Sequence, residues 1–488
     1  MATAATSKHV DVLIVGAGLS GIAAGHYIQK RCPTKSFEIL EAREAIGGTW
    51  DLFRYPGVRS DSDMYTLGYS FRPWTGEKSI ADGEDILQYL KDTAEDEGLN
   101  DKIRYKRKVV ASDWSSDAQH WTVQVEDTTS GERLTYTTSF LFMCTGYYDY
   151  DEGYTPEFPG REDFEGQFIH PQFWPEDLDY EGKRVVVIGS GATAVTLIPN
   201  LAEKAKRVTM LQRSPSYLMS LPERDDLALK MRGVSERFSY RVTRAKNVAI
   251  SMAFYNFCRR FPDAARSMLI DGAKRRLGDS VDVDTHFNPS YNPWEQRLCV
   301  VPNSDLFRSM KAGKADVVTA HIDHFTKDGI QLKNGEFLPA DIVISATGLK
   351  LKFLAGMDVR IDGETLRPEN EFAYKGLMLS GTPNMALVFG YANASWTLKA
   401  ELACEYVCRL LNYMDEKGHR VVRPINDDPT VEARPLLDFS SGYFTRGLPQ
   451  MPRQGNKAPW LVHQNYLKDM IELRFKRLEG SGLQFSER

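Results

Sequence analysis

Gly16-x-Gly18-x-x-Gly21 and Gly189-x-Gly191-x-x-Ala194 are loops of the kind that hold phosphates. Glycines let backbone approach an anion, and the start of the following helix offers free N–H groups and a positive dipole end. Ser20 lies in the first loop; Ser190, Ala192 and Thr193 lie in the second. Glu41 lies twenty positions after Gly21, at the end of the next strand. A carboxylate there accepts hydrogen bonds from a ribose. The second unit has Arg213 and Ser214 in that place and no acid. A guanidinium and a hydroxyl suit a 2′-phosphate that an acid would repel. The first loop therefore suits FAD and the second NADPH. Arg213 also has a plain reading as a surface arginine at a strand end.

Three further stretches carry chemistry-bearing types at fixed spacing. Between the loops, Phe164, Gly166, His170 and Trp174-Pro175 read F-x-G-x-x-x-H-x-x-x-W-P. The chain's own composition would place that pattern by chance about 3 × 10⁻⁵ times. After the first unit comes Gly47-Gly48-Thr49-Trp50-Asp51-Leu52-Phe53-Arg54-Tyr55-Pro56-Gly57-Val58-Arg59-Ser60-Asp61. On residue type alone, Asp61 caps a helix starting near Met64. Tyr291-Asn292-Pro293-Trp294-Glu295-Gln296-Arg297 precedes an apolar, strand-like run, and Arg297 alone reads equally as a salt-bridged interface arginine.

Together these stretches resemble the signatures of type I Baeyer-Villiger monooxygenases, and the likeness runs over essentially the whole chain. It is greatest to the mycobacterial ethionamide-activating members, through 48–57, His170-Pro171-Gln172, Tyr291-Asn292-Pro293-Trp294 and Asn393 to Leu411. The resemblance implies insertion of one oxygen of O2 beside a ketone carbonyl, through a flavin peroxide, to give esters or lactones. It also implies oxygenation of sulfides and thioamides. It places 49–52 along the flavin, Asp61 near its reactive edge, with Arg59 and Ser60 beside it, and Arg297 over it. It puts the backbone of Val109 against the adenine and the start of the helix after Asn393 near the pyrimidine. His170, beside an interdomain linker, is read as a hydrogen-bonding hinge, with a general-base role as the alternative. Gln296 stands where many members have Lys, which removes one partner for a 2′-phosphate.

The elements that must position these residues follow from hydrophobic period and turn chemistry. Val10–Val15 and Arg184–Ile188 read as buried parallel strands, each followed by a helical pattern. The fold class is α/β, with two Rossmann-like dinucleotide-binding domains. The FAD domain is discontinuous, 1–146 and 338–488; the NADPH domain spans 147–337, with a helical insertion at about 222–280. Lys102 to Cys144 alternates like antiparallel strands and ends in Cys144-Thr145-Gly146. Val109 falls near the end of a strand over 102–110. The echo Ala346-Thr347-Gly348, after Asp341–Ser345, marks a return to the first domain. A Tyr-, Pro- and Gly-rich linker covers 147–160, and residues 395–414 form an amphipathic helix.

Bulk properties exclude several classes. A net charge of −5 offers no general attraction to nucleic acid. The six cysteines contain no CxxC and no metal-ligand spacing, which suits buried thiols in a reducing cytoplasm. That also argues against a disulfide reductase of related fold, and complete cofactor loops argue against a non-catalytic sensor. Met1 to His9 lacks the apolar core of a signal peptide. No apolar run is long enough for a membrane span. Residues 247–258, followed by Arg259-Arg260, could touch a membrane surface, although a core helix is favoured. The remaining partners implied are a small ketone or sulfide and O2, with no metal. The rival activity is N- or S-oxygenation without ketone turnover, against which Asp61 and Arg297 argue.

Overall fold

Lys8–Val15 (β1) is apolar on both faces from Val12 to Val15, where it lies inside a parallel sheet; Val12, Leu13 and Ile14 are fully buried. The computed structural model describes residues 8–296, 298–437, 439 and 441–487. Met1 to Ser7, most of the polar N-terminal segment, and Arg297 lie outside the described residues.

Leu19–Arg31 (α1) follows β1 and leads to Phe37–Leu40 (β2). Next come Ile103–Arg104 (β3), Arg107–Ser115 (β4), His120–Asp127 (β5) and Arg133–Met143 (β6). β3, β2, β1 and β6 lie side by side in parallel, while β4, β5 and β6 form an antiparallel meander. The expected strand over 102–110 is broken. Lys106 takes a positive φ of 57°, and Val109 sits inside β4, next to a register shift before Ala111.

Tyr148–Gly153 (β7) lies in the segment expected to be a plain linker. The second sheet begins with Gln167–Ile169 (β8) and Arg184–Ile188 (β9), then Ala192–Leu201 (α2) and Arg207–Gln212 (β10). Glu236–Arg260 (α3) and Pro262–Leu277 (α4) supply most of the helical insertion. Ala315–Thr319 (β11) and Ile342–Ser345 (β12) complete a five-stranded parallel sheet, ordered β11-β10-β9-β12-β8.

β12 therefore corrects the expected boundary at 338. It pairs with β9 and β8 and belongs to the second sheet. The echo of the two Thr-Gly endings has a different meaning from the one expected. Cys144 O abuts Gly16, and Ala346 O abuts Gly189, so each ending closes the glycine loop of its own unit. The return crosses Leu349–Leu351 (β13), which pairs antiparallel with β7 as a two-stranded ribbon. Asp358–Ile361 (β14) then joins β4, and Met385–Leu387 (β15) joins β6 in the first sheet. Trp396–Lys417 (α5) packs on α1 in the core beneath that sheet.

Candidate active site

Both glycine loops open onto one cavity of about 1100 Å³. Gly16 has a φ of +103°, and an added Cβ would lie 2.6 Å from Cys144 O. At Gly21 a Cβ would lie 1.8 Å from Gly16 O. The turn is thus closed on itself, and its backbone faces outward to the cavity. Glu41 accepts from Ala17 N at 2.8 Å and from Arg43 N at 2.9 Å. Burial raises its carboxyl, and these two N–H donors work against that rise. The second loop repeats the closure: Gly189 has a φ of +139° and a Cβ there would meet Ala346 O at 2.3 Å. Ser190 Oγ donates to Ser214 O at 3.1 Å, tying the loop to the end of β10.

Gly16, Gly18, Ser20, Glu41, Gly48, Thr49, Trp50, Arg59, Ser60, Asp61 and Val109 line the cavity from the first unit. Gly189, Ser190, Gly191, Ala192, Thr193, Arg213 and Ser214 line it from the second. Gly21, Asp51, Leu52 and Ala194 are not on its wall. Gly21 and Ala194 are buried behind the loops; Asp51 is ion-paired to Arg43 at 2.6 Å and Arg54 at 2.7 Å.

Asp61 lies on the cavity wall and does not cap the helix Met64–Leu67. Asp63 does so, accepting from Tyr65 N at 3.0 Å and Thr66 N at 3.1 Å. Gln296 also lines the cavity. The turn before it is held by Asn292 donating twice to Glu295, each at 2.9 Å, and by Trp294 at φ +68°. Arg59 donates to Asp305 at 2.5 Å, while its Nε and Nη2 are buried with no hydrogen-bond partner among the described residues. Two buried donors on a residue that lines the cavity fit an acceptor-rich ligand.

The Gly47–Asp61 segment also bridges two cores. Trp50 packs in the first core, whereas Phe53, Tyr55 and Val58 pack in the second. Gly57, at φ +74°, brings its backbone against Asn200 of α2; a Cβ would stand 2.0 Å from Asn200 Nδ2. Burial pushes the Tyr55 phenol up to about 12, with the Asp61 charge adding and a hydrogen bond to Thr193 opposing.

The fingerprint residues stand off the cavity. His170 Nε2 is 3.1 Å from Gly348 O, and Gln172 N donates to Nδ1 at 3.2 Å. With Nδ1 accepting, the proton sits on Nε2 and donates to Gly348. Burial lowers this imidazole's pKa, so it stays neutral. Gly153 leaves room for the ring, since a Cβ there would be 2.1 Å from Cε1. His170 thereby touches both sides of the ribbon joining the sheets. Both ring nitrogens are engaged, which leaves no free base. Phe164 and Gly166 close the second unit, Phe164 against Phe325 and Gly166 over Asp341 O; Trp174 packs on the second core.

Trp396 lines the cavity from the Asn393 to Leu411 stretch, whereas Tyr150 and Arg446 line it without a sequence signal. Tyr150 OH is 3.1 Å from Thr49 Oγ1, and burial pushes its phenol up to about 12. Trp396 Nε1 donates to Ser20 Oγ at 2.8 Å. Arg446 sits 3.4 Å from the Tyr154 ring centroid. Tyr150 and Arg446 come from the ribbon and the C-terminal segment, where no motif marks them. The start of α5 is tied to the first unit as well, through Ser395 Oγ, 2.6 Å from Thr66 Oγ1.

With this geometry in place, residues 8–358 match the flavin-binding monooxygenase-like family. The chain belongs to that family. It is 53% identical over 484 residues to the FAD-containing monooxygenase EthA of Mycobacterium tuberculosis, covering 99% of each chain. It is 48% identical to the probable FAD-binding monooxygenase AlmA of an Acinetobacter species, covering 99% of this chain and 97% of that one. Its fold matches an NADP-bound steroid monooxygenase at TM-score 0.77 and 21% identity, over 99% of this chain and 100% of that one. An open cyclohexanone monooxygenase matches at TM-score 0.75 and 20% identity, over 98% and 100%. These distant likenesses establish the two-sheet architecture of this family member.

Proposed function

We propose that this flavin-binding monooxygenase holds FAD on its first loop and NADPH on its second, and converts ketones to esters or lactones. Oxygenation of sulfides and thioamides is the companion activity. The observation that carries the reading is the single cavity on which both glycine loops, Asp61 and Arg59 converge. FAD, when bound, would take two electrons from NADPH and activate O2, so that one oxygen atom enters the product and the other leaves as water. The residues present fit it: a glycine turn with no room for a side chain at Gly16 or Gly21, Glu41 at the ribose position, and buried Arg59 donors. Thr49 and Trp50 would flank it, and Val109 would meet the adenine.

The protein's part is to bind, orient and stabilise charge. A carbonyl oxygen under attack gains negative charge, and a fixed guanidinium lowers that barrier by about 3–4 kcal/mol, as an oxyanion donor does. Arg297 is assigned that role, with Asp61 orienting it. His170 couples the two units by holding the ribbon, and the domain division runs with it: a discontinuous FAD domain around an NADPH domain.

Arg213, exposed at the cavity rim, would bind the 2′-phosphate. Arg213→Ala should raise KM for NADPH about tenfold, leave KM for NADH unchanged and barely move kcat. Steady-state kinetics with both nucleotides decides it; an equal rise for both would remove the assignment.

The reaction itself is tested by reducing the purified protein with NADPH without oxygen. O2 and a panel of ketones and sulfides are then added, and products are read by mass. Esters one oxygen heavier than the ketone are expected. Sulfoxides alone, with no ester, would make the protein an S-oxygenase.

A further inference from the structure

The apolar run 247–258, favoured as a core helix on sequence, lies in α3, and much of α3 is at the surface. Only Ser239, Tyr240, Thr243 and Cys258 of its 25 residues are buried. Phe238 is 57% exposed, Ile250 58%, and Phe261, just past the C-terminus, 57%. At about 100° per residue, Phe238, Val242, Ala245, Ala249 and Ala253 fall within an arc of about 80°. All five are exposed. Single exposed apolar side chains are ordinary, but a continuous row of them marks an interaction face.

The row lies in a basic setting. Glu236–Leu277, covering α3 and α4, carries ten Lys and Arg against three Asp and Glu. That is +7 locally in a chain of net −5, and it stays positive after Arg244, Lys246 and Lys274 are paired with Glu401, Asp225 and Asp284. Arg237 and Arg241 flank the row, and Arg259 and Arg260 stand at its end; all four are exposed.

We propose that this face docks on an anionic lipid bilayer. The apolar row enters the boundary between headgroups and acyl chains, and the arginines meet lipid phosphates. A second copy of the chain would bring the same +7 against it. No helix among the described residues is long and apolar enough to cross a membrane, so the contact is peripheral. The inner side of α3 reaches the candidate active site: Tyr255 packs edge-on against Trp294 at 5.7 Å, two residues before cavity-lining Gln296. An apolar substrate dissolved in the bilayer would thus be delivered beside the cavity; this last link rests on the proposed function, whereas docking does not.

The test is co-sedimentation of the full-length holoprotein with vesicles, either phosphatidylcholine alone or mixed with phosphatidylglycerol. Pelleting should depend on phosphatidylglycerol and weaken with salt. Arg237→Glu with Arg241→Glu should weaken it about tenfold or more. Phe238→Ser with Val242→Ser should do so even at low salt. Both variants should keep wild-type thermal midpoints and NADPH oxidation. Equal pelleting with both lipids, no pelleting, or variants that pellet like wild type would overturn the proposal. So would a change in solution mass by light scattering for Phe238→Ser/Val242→Ser without a change in vesicle binding, which would assign the face to a second copy.

Discussion

Gly21→Ala is expected to yield protein without bound flavin, with NADPH oxidation at background. The added Cβ would stand 1.8 Å from Gly16 O, a backbone atom. Gly16 cannot retreat, because its own Cβ position is 2.6 Å from Cys144 O at the end of β6. Relief must come from moving the turn that would hold the pyrophosphate. Ordinary overpacking costs about 1–3 kcal/mol, and a backbone collision in a closed turn should cost at least that. Gly189→Ala provides the contrast, since its Cβ would meet Ala346 O at 2.3 Å in the other unit. That variant should purify yellow yet resist reduction by NADPH. The flavin-to-protein absorbance ratio and anaerobic reduction separate the two. A fully flavinated Gly21→Ala protein would remove the first loop from FAD binding.

Arg297→Ala should abolish ester formation while NADPH oxidation continues. Asp61→Asn should lower ester formation about 10²–10³-fold, the scale seen when an oxyanion donor is lost. The structure makes the Asp61 variant informative. Because Asp63 holds the cap of the Met64–Leu67 helix, neutralising Asp61 leaves that helix intact. The thermal midpoint of Asp61→Asn should therefore stay near wild type while turnover falls. Product analysis and calorimetry check both halves. Persistent esterification in Arg297→Ala would end the arginine assignment, and a large loss of stability in Asp61→Asn would make that residue structural.

The glycine loops were legible because their chemistry is local. A strand, a tight turn and a helix start lie within a few residues, and Glu41 or Arg213 falls at a distance set by one βαβ unit. The echo of Cys144-Thr145-Gly146 in Ala346-Thr347-Gly348 was legible too, but its meaning was misassigned. Sequence alone does not say which sheet Ile342–Ser345 joins, and an apolar run is equally at home in either. The strand over 102–110 failed for a related reason. Lys106 at positive φ breaks the run, and nothing in its side chain announces it.

The residue pattern by itself determined the two dinucleotide-binding units, the acid in one and the arginine in the other, and the family signatures. These are short-range arrangements of backbone and charge. Tertiary structure decided what crosses between units. Asp61 lies on the cavity wall, and Asp63, two residues on, caps the helix in its place. Gly57 is needed because α2 of the second unit comes within contact of its backbone. His170 touches a ribbon whose strands are about 200 residues apart, Tyr148 opposite Leu351. Tyr150 and Arg446 reach the cavity from segments without motifs. Such contacts depend on how the chain closes on itself, because neighbours far apart in sequence have no fixed spacing to read.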